Sequence, residues 1–194
     1  MVETYTVTAG QTLDLVVVIF EPCEREITIN LAGAGAKASL LCLVATDERN
    51  VVLNVNQNHL VAGTTSSVLI KGVLTGSAHA RLTGLITIAP DASGCHASQY
   101  HKVLLLEKPF VPMEADRPSG GIRTPSATAT PQFAVSHHQV RCNHGAAVGK
   151  IDSQQLFYLQ TRGLSEHTAT KIIVNGFAQE IIAHENPIPH IFPS

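Results

Sequence analysis

Short segments rich in Val, Ile, Leu and Thr recur from Tyr5 to Leu106, with almost no helical period among them. The pattern predicts strands over Tyr5–Thr8, Thr12–Phe20, Ile27–Leu31, Ala38–Ala45, Asn50–Asn56, Ser66–Val73, Ala80–Ile88 and Val103–Leu106. Ile27-Thr28-Ile29-Asn30-Leu31 and Val51-Val52-Leu53-Asn54-Val55 alternate, which puts one face in a core and the other in water. Gly, Asn, Asp and Pro mark the boundaries, and connectors such as Ala32-Gly33-Ala34-Gly35-Ala36 are small. Apolar quartets begin near Ile27, Leu40, Val51, Val68, Leu85 and Val103. Such quasi-regular recurrence suits either the stacked rungs of a β-solenoid or a β-sandwich. No Asn-Gly or Asp-Gly hairpin signal separates these strands, and the pattern alone leaves both architectures open.

Residues 107–131 interrupt the pattern. Lys108–Pro125 reads as a long loop, Ser126–Pro131 continues it in small residues, and a strand returns at Gln132–Val140. Adjacent His137 and His138 then point to opposite faces. The last fifty residues change character. Asp152 with Gln155 resembles a capping box, predicting a helix over Ser153–Thr161 that Gly163 stops. Ser165 caps a second helix with Glu166 in its first turn, ending near His184 before Pro187. Ala169, Ile172, Ile173, Gly176, Phe177 and Ile181 would form its buried stripe. The expected organisation is a β core over 1–150, a helix pair over 151–186 and a tail over 187–194.

Composition narrows the class. The chain has 194 residues, 44% hydrophobic and 14% charged, with a formal charge of −2. That suits one domain with an aliphatic core and argues against disorder. Near-neutrality removes any bulk electrostatic reason to bind nucleic acid or an anionic membrane. The longest apolar runs, Leu15–Phe20 and Leu40–Ala45, are too short to span a bilayer. The start Met1-Val2-Glu3-Thr4 lacks the pattern of a secretory signal, so a cytoplasmic protein with reduced thiols is expected. Cys23, Cys42, Cys95 and Cys142 are widely spaced; Cys42 reads as a buried thiol, and Cys23 and Cys95 as turn residues. His59 also reads as a turn residue. There is no phosphate-binding Gly-x-x-x-x-Gly-Lys-Ser/Thr and no Gly-x-Ser-x-Gly elbow. The β region shows neither the carboxylate pair nor the aromatics of a carbohydrate-active enzyme.

One run is specific: Cys142-Asn143-His144-Gly145-Ala146-Ala147-Val148-Gly149-Lys150-Ile151-Asp152, then Gln155-Leu156-Phe157-Tyr158-Leu159, Arg162-Gly163-Leu164 and Asn175-Gly176-Phe177. It resembles the C-terminal signature of the SufB/SufD family of iron–sulfur cluster assembly proteins. Lys71-Gly72-Val73-Leu74, Gly84-Leu85-Ile86, Gln99 and Leu104-Leu105-Leu106 resemble that family's core. The Cys-x-His-Gly-Ala run is the SufD-like version, and Arg123–Pro131 lacks the Cys found in the SufB branch. The chain thus looks like a short, core-only SufD-like form.

The resemblance implies a right-handed parallel β-helix with a C-terminal helical subdomain. It implies a non-enzymatic scaffold that dimerises, with itself or a paralogue, through the end of the β-helix. It implies docking of a SufC-like ABC ATPase through the helices, with no nucleotide bound by this chain. Phe157, Tyr158, Arg162 and Phe177 are then the partner-binding candidates, because aromatic and Arg residues dominate interface anchors. Cys142 and His144 are the candidate ligands of a transient iron–sulfur cluster. Iron takes thiolate or imidazole, and residues two apart on a strand share a face. Two ligands do not complete a site, so the rest would come from a partner or from His101, His137 or His138. A metal-free adaptor of the same ATPase complex is the alternative.

Overall fold

A computed structural model describes residues 1–47, 50–107 and 124–183. Ten strands follow in order: β1 (Val2–Val7), β2 (Thr12–Ile19), β3 (Cys23–Leu31), β4 (Lys37–Thr46), β5 (Asn50–His59), β6 (Thr65–Thr75), β7 (His79–Ile88), β8 (His96–Leu106), β9 (Ser126–Val135) and β10 (Arg141–Lys150). Odd-numbered strands pair as β1-β3-β5-β7-β9 and even-numbered ones as β10-β8-β6-β4-β2. Every pairing is parallel. The chain therefore alternates between two sheets, and each odd–even pair makes one coil of a β-helix. A sandwich of hairpins would need antiparallel neighbours.

The core forms because the period-2 apolar set of each strand turns inward and stacks on the same set in the next coil. Leu40, Val68, Leu53, Leu82, Ile27 and Val55 are all fully or nearly fully buried in this stack. Their identity as γ- or β-branched aliphatics suits strands about 4.8 Å apart. The small connectors also have a cause. Gly10, Gly35, Gly63 and Gly94 hold φ near +70°, a conformation that favours glycine. Their turns stack: the Gly10 N–H donates to the Ala34 carbonyl at 3.0 Å, Gly63 to Ser93 at 2.8 Å and Gly94 to Gln139 at 2.7 Å.

The C-terminal helices are α1 (Ser153–Thr161), with Asp152 accepting from the Gln154 N–H at 2.8 Å, and α2 (Glu166–Ile182), with Ser165 accepting from the Thr168 N–H at 3.2 Å. Helix α2 lies on the outer face of the even-strand sheet. Its Ala178, Ile181 and Ile182 pack on Leu41, Leu43 and Leu69, and its Val174 and Phe177 on Ala45, Val73, Leu104 and Leu106. Lys71 pins it, donating from Nζ to the Phe177 carbonyl at 2.6 Å and pairing with Glu180 at 2.7 Å.

Five expectations change, the simplest being Cys23, which opens β3 instead of lying in a turn. Of the long loop expected over 107–131, Ser126–Pro131 is strand, the first part of β9. Thr128 and Thr130 alternate there with Ala127 and Ala129. Pro131 is tolerated because it lies in register with Gly84 on the last strand of its sheet. Residues 108–123 of that expectation, the last residues 184–186 of the expected helix pair and the tail over 187–194 lie outside the described residues. The strand expected over Gln132–Val140 ends at Val135, and Cys142–Lys150 belongs to β10. His59 is the last residue of β5, fully buried, and not a turn residue. The stripe of α2 is rotated: Val174, Ala178 and Ile182 join Ala169 and Ile181 inside, while Ile172 and Gly176 face out. No helix among the described residues is long and apolar enough to cross a membrane.

Candidate functional site

Strands β9 and β10 complete the last coil, and each is the terminal strand of its sheet. Register places Phe133 and Val135 over the inward-facing Ile86 and Ile88, and His144 and Val148 over Gln99 and Val103. No further coil covers them among the described residues. Phe133, Val135 and Val148 are consequently 39%, 38% and 42% exposed, whereas the residues beneath them are nearly or fully buried. The result is an apolar end surface framed by two strand edges.

Cys142 and His144 sit in this surface, on the same face of β10. The His144 ring stacks on Phe133 with centroids 4.1 Å apart and planes 7° from parallel. Cys142 is half-buried against the cluster of Ile86, Ile88 and Cys95. Burial, aided by the nearby Cys95 thiol, pushes the Cys142 thiol pKa up, so it rests protonated. The pair offers one imidazole and one thiol at the rim. Among the described residues no group of three or more His, Cys, Asp or Glu side chains converges. His137 does not join them: residues 136–140 are not strand, and its Nδ1 accepts the Gln139 N–H at 3.0 Å.

Beneath the rim the β-helix contains a buried polar row. Thr64 Oγ1 lies 2.7 Å from His59 Nδ1, and His59 Nε2 lies 2.8 Å from Ser66 Oγ. Ser66 donates to Gln57 Oε1 at 2.5 Å, Gln57 Nε2 donates to Gln99 Oε1 at 3.0 Å, and Gln99 Nε2 lies 2.9 Å from His101 Nε2. Gly84 makes the row possible, because a Cβ there would lie 1.4 Å from the Gln99 amide nitrogen. Burial lowers the pKa of both His59 and His101 to about 4, so both rings are neutral at pH 7. The sequence reading passed over this row, although its signal is present. Gln57 and His59 continue the inward phase of Val51, Leu53 and Val55.

The helices present a different surface. Helix α1 buries no residue, and it leaves Phe157 67% and Tyr158 56% exposed. Arg162 folds over the Tyr158 ring at 5.2 Å and donates to its hydroxyl at 2.8 Å, which orders both side chains. Phe177 is half-buried, seated on the sheet with the Lys71 ammonium 5.0 Å from its ring centre.

Comparison with known proteins gives this arrangement its context. The family model described as SUF system FeS cluster assembly, SufBD core domain, matches residues 22–110 and 123–177. A protein of Mycobacterium leprae named as an iron-sulfur cluster assembly SufBD family protein is 30% identical over 164 residues, covering 80% of this chain and 38% of that protein. A Mycobacterium bovis protein of the same printed description is 28% identical over 162 residues, covering 82% of this chain and 17% of its own length. The iron-sulfur cluster assembly protein SufD of Escherichia coli is 29% identical over 116 residues, 60% of this chain and 24% of that protein. The chain thus spans well under half the length of these relatives. With a family model matching most of its length and a β-helix carrying the expected C-terminal helices, the chain belongs to the SufB/SufD family of iron–sulfur cluster assembly proteins.

Proposed function

We propose that this chain is a non-enzymatic scaffold of SUF-type iron–sulfur cluster assembly that works as one half of a pair. The observation that carries this reading is the uncovered last coil, with Phe133, Val135 and Val148 exposed beside two strand edges. Such an edge invites pairing with another chain, and apolar exposure of this kind marks an interaction surface. The partner is a second copy or a SufB/SufD-type paralogue. Cys142 and His144 then meet the partner's groups, which supply the ligands that one chain lacks. A transient iron–sulfur cluster is the cargo, held by thiolate and imidazole. Ligation deprotonates the Cys142 thiol, so loading is favoured as pH rises.

Phe157, Tyr158 and Arg162 form the docking face for a SufC-like ABC ATPase, and Phe177 with Lys71 fixes the helix that carries that face. This chain contributes no nucleotide site of its own. Four free thiols suit a reducing cytoplasm. The test is the native mass of the purified complex together with its iron and sulfide content, after anaerobic reconstitution with and without the ATPase. A paired species carrying metal and retaining the ATPase is expected; a monomer that binds neither overturns the reading.

Among the described residues no group of three ligand-type side chains forms, which favours a second reading, a metal-free adaptor of the same complex. Replacing Cys142→Ser with His144→Ala decides between them. Cluster maturation that survives this double change, but fails when Phe157 and Tyr158 are replaced, identifies an adaptor.

A further inference from the structure

The buried polar row has a direction. Ser66 Oγ–H donates to Gln57 Oε1, so the Ser66 oxygen is left to accept from His59 Nε2–H. His59 Nδ1 is then the acceptor of the Thr64 hydroxyl. At the other end, Gln57 Nε2–H donates to Gln99 Oε1, and Gln99 Nε2–H donates to His101 Nε2. A neutral imidazole carries one proton. With Nε2 accepting, the proton of His101 is on Nδ1. His101 is completely buried, and its Nδ1 has no hydrogen-bond partner among the described residues. The backbone of Leu82 approaches the ring, which favours a proton on this side, without completing a hydrogen bond. A buried donor left without an acceptor is unfavourable, so such a site favours an acceptor that reaches it.

The last coil covers His101 and the residues facing it with small side chains. Ala146 lies in register above it on β10 and is exposed at the open end. In the facing sheet, Gly84 is covered by Pro131, and Leu82 by Ala129. A single alanine therefore separates the His101 ring from the uncovered end.

We propose that His101 Nδ1–H is a ligand site, which takes a small hydrogen-bond acceptor, either a water molecule or a small monovalent anion, from the open end beneath β9 and β10. The row from Thr64 to Gln99 sets the tautomer that makes His101 a donor.

The test is long-range proton–nitrogen spectroscopy of the full chain with nitrogen-labelled histidine at neutral pH. His101 is expected as the Nδ1–H tautomer and His59 as the Nε2–H tautomer. The His101 Nδ1 proton should either show cross-relaxation with water, which identifies water as the ligand, or shift saturably on titration with azide, which identifies an anion site. Gln99→Glu replaces the donor to Nε2 by an acceptor. It should move the His101 proton to Nε2 and abolish either response, with amide dispersion reporting that the fold is kept. Ser66→Ala should mix the His59 tautomers and leave His101 unchanged. A wild-type His101 protonated on Nε2 overturns the proposal. So does an Nδ1 proton that responds neither to water nor to azide, and both results are available even if the Gln99 variant does not fold.

Discussion

At the first coil, β1 turns Glu3 and Tyr5 toward the interior, and Arg25 of β3 reaches Glu3 at 2.7 Å while Tyr5 donates to the same carboxylate at 2.8 Å. At the last coil, β9 and β10 turn Phe133, Val135, His144 and Val148 to the corresponding inward positions. Both coils carry terminal strands, yet β1 is finished with an ion pair and a phenol, beside the apolar Leu13 and Leu15 of β2, and β9 with exposed hydrocarbon. Charge on an edge discourages strand addition, and apolar surface invites it. Under the proposed pairing, the last coil would be the associating end and β1 would resist strand addition. The polar row leans the same way, since it runs inside the later coils and stops one alanine short of the open end.

The largest effect is expected from Gly84→Val. The Gln99 amide occupies the space of a residue-84 side chain and is held by Gln57 and His101, so it has no alternative position. Overpacking plus loss of buried hydrogen bonds should cost about 4 kcal/mol. Hydrogen exchange should rise in β7–β10 and stay low in β1–β3; uniform loss of protection would show that the two ends are not energetically separate.

Next comes pH. His59 and His101 have folded pKa values of about 4, below an unfolded value of about 6.5. Between those limits the unfolded chain binds protons that the folded chain excludes, so stability falls as pH drops through the window and levels off below it. The loss should reach on the order of 3 kcal/mol for each imidazole, roughly twice that for the two together, read as a falling urea midpoint. A midpoint that holds between these pH values would mean the imidazoles are not buried as neutral groups.

Phe133→Asp should weaken self-association or pairing with a paralogue about tenfold, about 1.4 kcal/mol, measured by sedimentation. Tyr5→Phe at the opposite end should leave the association constant unchanged, and equal effects would erase the distinction between the ends. The smallest change is expected from Glu3→Gln, about 0.5–1 kcal/mol, because the pair is partly exposed. The Arg25 guanidinium, with the Tyr5 hydroxyl, holds the Glu3 carboxyl below its usual range. Its contribution is therefore present above the ordinary carboxylate pKa and is lost as pH falls through the lowered one. Acid denaturation curves of the variant should be flatter there.

The strands of the β core were legible because burial on one face imposes a period of two, and eight of the ten could be located from that period. Both helices were legible from Asp152, Ser165 and Gly163, whose capping chemistry is local. The extent of β9 was hidden because Thr128, Ala129 and Thr130 are small and give little hydrophobic contrast. The face of α2 was misjudged at Ile172, since isoleucine does not reveal which side the sheet lies on. Cys142 and His144 were visible as a pair, but the Phe133 ring under His144 belongs to another strand.

The sequence by itself determined the alternation, the capped helices, the αL glycines of the stacked turns and the family signature, because each depends on residues close along the chain. Periodicity left solenoid and sandwich open, the resemblance implied a parallel β-helix, and the structure shows it in two sheets paired parallel throughout. Only the tertiary structure showed that Gln57, Ser66, Gln99 and His101 join in one row through the space left by Gly84, and that β1 closes its sheet with polar groups while β9 closes it with exposed hydrocarbon. Those features depend on which strand lies above which, and register between coils is set by packing across segments roughly thirty residues apart rather than by any local preference.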